Sequence, residues 1–172
     1  MRTTEAADVT LLKEYLNQYN KEAKYKHDLE NRLKRIEREM EFPLRGIGYS
    51  PLPMNNTGSS KGASSYTLRK AEIEDRIQEQ IELIANSLIN IMSVLDYLPI
   101  GSEGRRILEY RYIDDIPWSK VYEKMHLSKT PCFDRVNEAY AELLKYPRVV
   151  YILEDYMENK KQKETKGMMA VV

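Results

Sequence analysis

The chain has one cysteine, two histidines and no excess of charge of either sign, with 27 lysines and arginines set against 27 aspartates and glutamates in 172 residues. A single cysteine excludes an internal disulfide framework and suits a reducing compartment. Neither His27 nor His126 has a cysteine or carboxylate at metal-ligand spacing, so no metal centre is expected. No apolar run approaches the roughly 20 residues that a bilayer span requires. The start, Met-Arg-Thr-Thr-Glu-Ala-Ala-Asp, lacks the apolar core of a signal peptide. These absences predict a cytoplasmic protein without a membrane span. Catalysis and cofactors are not expected either. Gly58-Ser-Ser-Lys-Gly62 lacks the spacing of a phosphate loop, and Cys132 falls on an apolar helix face, where a thiol is structural.

What is present is helix signal. From Asp8 to Glu41 there is no glycine or proline. Leu12, Leu16, Tyr19 and Ala23 form one apolar stripe, and Leu29, Leu33, Ile36 and Met40 a second, with a phase slip near Lys26. A narrow stripe of this length needs a partner helix. Residues 42–66 break the pattern with Pro43, Gly46, Gly48, Pro51, Pro53, Gly58 and Gly62, as a flexible connection does. From Thr67 to Leu98, Ile77, Ile81, Ile84, Leu88, Ile91 and Leu95 repeat at steps of 4, 3, 4, 3 and 4, the spacing of a coiled-coil seam. The partner is either the N-terminal helix folded back antiparallel or a second copy of the chain. Leu98-Pro99 ends this helix and Ser102 can cap the next. After Pro147 a terminal helix is expected to about Asn159, then a frayed tail.

Residues 107–144 read as three short helices. Val121 and Met125 give the middle one an apolar edge, and Cys132, Val136, Ala139 and Leu143 do so for the last. Between them, Met125-His126-Leu127-Ser128 supplies a turn and then a hydroxyl able to cap the following helix; Thr130-Pro131 is a second start signal. Asp114-Asp115 is expected to turn the chain and cap the middle helix, with Trp118 as its core anchor. Two helices joined in this way can present the second to the DNA major groove.

Arg111-Tyr112, Ile116-Pro117-Trp118, Val121, Met125, Leu127-Ser128, Arg135-Val136 and Ala139 resemble the pattern of sigma-factor region four. Leu-Glu-Tyr-Arg-Tyr-Ile-Asp-Asp, followed by an aromatic helix entry, is similar to the form found in phage late transcriptional activators of the ArpU/RinA type. The resemblance covers about residues 98–145. Tyr122 stands where related motifs carry a small alanine, and His126 where glycine commonly supplies a left-handed turn.

The expected fold is all-α. It comprises a helical hairpin and oligomerisation region over 1–97 with a flexible loop at 42–66, a helix-turn-helix module over 98–159, and a frayed tail at 160–172. A fragment from about Asp96 to Asn159 should stay helical by itself. The resemblance implies a sequence-specific DNA-binding transcriptional regulator, with double-stranded DNA and host RNA polymerase as partners, and the Ile77-to-Leu95 seam adds a second copy of the chain, most simply as a homodimer. With Cys132, Val136, Ala139 and Leu143 turned inward, Lys129, Phe133, Asp134, Asn137 and Glu138 point outward. Asn137 could read adenine, Lys129 guanine or phosphate, and Phe133 a thymine methyl. Arg135 could reach phosphate. Ser128, Thr130 and Asp134 complete the DNA-facing set on this helix, and Lys120, Lys124, Arg105 and Arg106 are candidate backbone contacts. The alternative is that these residues only solvate the helix or pair with acids. Residues 101–147 hold as many acidic as basic residues, so phosphate attraction is modest. Two other functions stay open: a small-terminase-like phage packaging protein, and a helical protein-interaction module that keeps the fold without DNA affinity.

Overall fold

A computed structural model describes residues 2–41 and 59–169, and over them the chain is all-α. The helices are α1 (Arg2–Leu16), α2 (Gln18–Glu41), α3 (Ser59–Leu95), α4 (Glu103–Tyr112), α5 (Trp118–Met125), α6 (Lys129–Leu143) and α7 (Pro147–Met169). Three boundaries differ from expectation. The N-terminal stretch, expected as one helix with a phase slip of its stripe near Lys26, is interrupted at Asn17, whose amide still donates to the Lys13 and Glu14 carbonyls. Residues 59–66, assigned to the flexible connection, open α3, because proline is absent there and one glycine costs a helix only about 1 kcal/mol. Residues 42–58 of that connection lie outside the described residues. The segment 160–166, expected to fray, continues α7, since it consists mainly of good helix formers; Thr165 Oγ1 donates to the Lys161 carbonyl within it.

The chain divides into two compact units, residues 22–85 and residues 1–21 with 86–172. The expected boundary at 97/98 is therefore displaced. In the first unit, α2 and α3 run antiparallel: Lys70 Nζ binds Glu37 Oε1 at 2.9 Å, and Gln80 Nε2 donates to the Glu22 carbonyl at 3.3 Å. The hairpin expected from the two stripes forms here, with one departure from the expected seam at Ile81. Gln80 is buried beside half-buried Ile77 and Ile84, while Ile81 is 41% exposed. The amide of Gln80 can be buried because it reaches a backbone carbonyl.

In the second unit one core joins α1, the end of α3 and α4 to α7. Leu12 and Leu16 share it with Ile91, Leu95, Ile107, Leu108, Val121, Val136, Leu143, Val149 and Leu153. Fully burying each such leucine or isoleucine contributes about 1.5–3 kcal/mol. The N-terminal helix is thus part of the same unit as the helix-turn-helix. Polar links reinforce it: Glu14 Oε1 accepts from Lys160 Nζ at 2.6 Å and from the Tyr156 hydroxyl at 3.4 Å, and the Lys160 hydrogen bond holds the Glu14 carboxyl below the usual carboxylate range. Asn20, also buried, donates to the Arg111 carbonyl at 3.4 Å.

Two features set the position of α6. Gly104 on α4 lies so close to it that an added Cβ would stand 2.8 Å from Ala139 Cβ and 3.2 Å from the Arg135 carbonyl oxygen. The hydroxyls of Tyr112 on α4 and Tyr140 on α6 hydrogen-bond at 2.8 Å inside the core. Burial raises both hydroxyls above the ordinary tyrosine range, Tyr140 by far. Each satisfies the other, so neither leaves an unpaired polar group in the core.

Candidate nucleic-acid interface

The turn between α5 and α6 follows from His126. This residue adopts the left-handed conformation (φ 52, ψ 36) that the motif usually gives to glycine. Its amide donates to the Glu123 carbonyl at 3.2 Å, and the Leu127 amide donates to the Tyr122 carbonyl at 3.0 Å. That pair of bonds is a Schellman closure, which satisfies the last carbonyls of α5 and turns the chain sharply. Histidine here takes a conformation that glycine adopts without strain. His126→Gly should therefore stabilise the fold by about 1 kcal/mol, a gain that thermal unfolding would read and that an unchanged or lowered melting point would contradict.

The starts of both helices differ in detail from expectation. Pro117, not Asp115, is the residue preceding α5, and it offers no side-chain cap. Asp115 has φ 49 and closes the end of α4, its carboxylate 3.5 Å from Arg111 Nη1. Ser128 has the extended backbone of a cap (φ −75, ψ 169), yet its hydroxyl makes no capping bond. Pro131 lies in the first turn of α6, where its missing amide has no helical acceptor to lose.

The inward set is placed as expected. Cys132, Val136, Ala139 and Leu143 are all buried, and burial pushes the Cys132 thiol up, as befits a structural cysteine. Ser128, Lys129, Thr130, Asp134, Asn137 and Glu138 are exposed. Lys129, Asp134 and Asn137 have no side-chain partner among the described residues. Phe133 is different. Its ring packs 5.0 Å from Trp118 and 6.0 Å from Tyr122, so it locks α6 against α5 and is only half-exposed. Tyr122, bulky where alanine is common, is accommodated through this same cluster.

The candidate cations are more engaged than the sequence suggests. Arg135 Nε meets Glu103 Oε2 at 3.0 Å, and its Nη1 meets Glu138 Oε2 at 3.1 Å. Lys120 pairs with Glu123 at 2.7 Å, and Lys124 stands 4.9 Å from the Tyr110 ring centre. Arg105 is a structural clamp, not a backbone contact. It bonds Glu109 at 2.8 Å, Asp96 at 2.7 Å and the Leu98 carbonyl at 3.3 Å, with only 15% of its side chain exposed. Lys129 and Arg106 keep unpartnered charges among the described residues. The clamp has a weak signal in the sequence, since Arg105 and Glu109 sit at helical spacing. The pairing of Arg135 with Glu103 has none, because it depends on how closely α4 and α6 approach.

No cluster of three or more potential metal ligands occurs among the described residues. No helix among them is long and apolar enough to cross a membrane. Compared with known proteins, the chain matches no family model, no curated protein and no solved structure.

Proposed function

We propose that the chain is a sequence-specific DNA-binding transcriptional regulator, of the kind that activates phage late genes, and not an enzyme. The observation that carries this reading is the sharp turn at His126, which delivers the start of α6 to the surface. Lys129 at that start and Asn137 two turns further along α6 stand exposed without side-chain partners among the described residues. Free amides in the first turn can approach a phosphate, Lys129 adds charge, and Asn137 offers the paired donor and acceptor that suit adenine. Binding of the purified chain to duplex DNA at rising salt tests this. Affinity should fall with salt, and an absence of salt-dependent binding contradicts the reading.

One near-neutral module makes few phosphate contacts, so the reading includes a homodimer that holds two modules on one duplex, with host RNA polymerase as a further partner. Ile89 and Met92 on α3 are 61% and 46% exposed, an apolar surface suited to self-association. Sedimentation over a range of concentrations should show a dimer; a monomer throughout removes this element.

A second reading, a protein-interaction module without DNA affinity, is favoured by the two carboxylates on Arg135. The two readings differ in what Glu103→Gln does. In a DNA reader, relieving one competitor frees Arg135 for phosphate and should strengthen duplex binding roughly twofold to fivefold, the range of exposed ion pairs. In an interaction module it leaves DNA affinity absent. Fluorescence anisotropy with a labelled duplex reads the difference.

A further inference from the structure

On the unit that holds the helix-turn-helix, but outside α4 to α6 as a reading head, α1 and α7 border an apolar groove of about 660 Å³. Buried Leu153 and half-buried Leu11 and Leu144 line it, while Val150 and Met157 on α7 stand 38% and 37% exposed. The charged groups lining it are acidic only: Asp8 and Glu14 from α1, and Glu154 from α7. Lys160 and Lys21 neutralise Glu14, at 2.6 Å and 3.9 Å. Asp8 and Glu154 form no ion pair among the described residues, and one comes from each of the two helices that border the groove. An apolar trough with an uncompensated carboxylate on each wall is complementary to an amphipathic helix with an apolar stripe and cationic flanks.

We propose that this groove is a docking site for a basic amphipathic helix of a partner protein, its aliphatic stripe seated on Leu11, Leu144 and Leu153 and its lysines or arginines paired with Asp8 and Glu154. The inference does not depend on DNA reading, because none of these residues belongs to the exposed face of α6. Burying Val150 and Met157 beneath a ligand removes apolar surface from water, and the two free carboxylates select a cationic partner over an anionic one.

The test uses the full chain and two labelled synthetic helices. Both carry leucines at i, i+3, i+4 and i+7; one is flanked by lysines and the other by glutamates. The lysine helix should bind saturably, and the glutamate helix should bind at least roughly tenfold more weakly. Asp8→Asn with Glu154→Gln, which preserves shape, should narrow that gap. Met157→Lys, at a partly exposed position, should abolish binding of the lysine helix while circular dichroism stays unchanged. Carbon-13 methyl spectra report the site directly, since the lysine helix should shift Met157. Equal binding of the two helices, an unmoved Met157 signal, or self-association of the chain that Met157→Lys abolishes would each overturn the proposal; the last would name a second copy as the occupant.

Discussion

Leu12→Asp should unfold the helix-turn-helix, although residue 12 lies far from it in sequence. Leu12 is completely buried in the core that also holds Val121, Val136, Tyr140 and Leu143. Truncating such a leucine alone costs about 2–5 kcal/mol. A carboxylate in its place has no partner and must be desolvated or protonated, so the total loss is about 4 kcal/mol or more. That is a large part of the roughly 5–15 kcal/mol that holds an ordinary domain together. Ile100→Asp is the control: Ile100 is 94% exposed, and its substitution should change stability by less than about 0.5 kcal/mol. Thermal unfolding by circular dichroism distinguishes them, and a Leu12→Asp chain that melts with the unmodified one contradicts the shared core.

The same reasoning revises the expectation that residues 96–159 form a self-sufficient fragment. Such a piece discards Leu12, Tyr15, Leu16, Ile91, Val94 and Leu95 and leaves their neighbours facing water. Stripes reveal which residues of a helix are apolar, but not which helix they meet. Leu12 and Leu16 were legible as one face of a helix; their destination was not, because no local signal distinguishes α3 from α7 as a neighbour. The one departure from the seam, at Ile81, has a similar origin. Spacing alone selects Ile77, Ile81 and Ile84, whereas the structure buries Gln80 by giving its amide the Glu22 carbonyl and leaves Ile81 partly in water.

The helix-turn-helix was the most legible part, since each of its features is local. The inward face of α6 follows from steps of 4, 3 and 4, and a turn at Met125 to Ser128 from its place between two periodic segments; the left-handed backbone of His126 was implied only by the resemblance. The site's electrostatics were less legible. Arg135 reads as a free cation until Glu103 of α4 is placed beside it, Arg105 until the end of α3 brings Asp96 and the Leu98 carbonyl to it, and Phe133 reads as an outward ring until Trp118 and Tyr122 are set around it.

Lys129→Ala and Asn137→Ala should impair DNA binding in different ways. Lys129 is an exposed cation with no carboxylate paired to it among the described residues, so its charge is available to a phosphate. Its removal should weaken binding to all duplexes alike and reduce the slope of affinity against salt by roughly one. Asn137 is exposed on α6 and carries no charge. Its removal should leave the salt slope intact and relax discrimination at one base pair by about 1–3 kcal/mol. Lys34→Ala, on α2 in the other unit, should alter neither. If Lys34→Ala weakens binding as much as Lys129→Ala, the reading head is not α6.

The central claim, that α6 reads base sequence, is tested most directly by selection of random duplexes on the unmodified chain and on Asn137→Ala, followed by sequencing. The unmodified chain should enrich a defined site, and Asn137→Ala should lose preference at one adenine-containing pair while keeping the rest of the site. Enrichment of no sequence by the unmodified chain, or an identical site from both proteins, would contradict it.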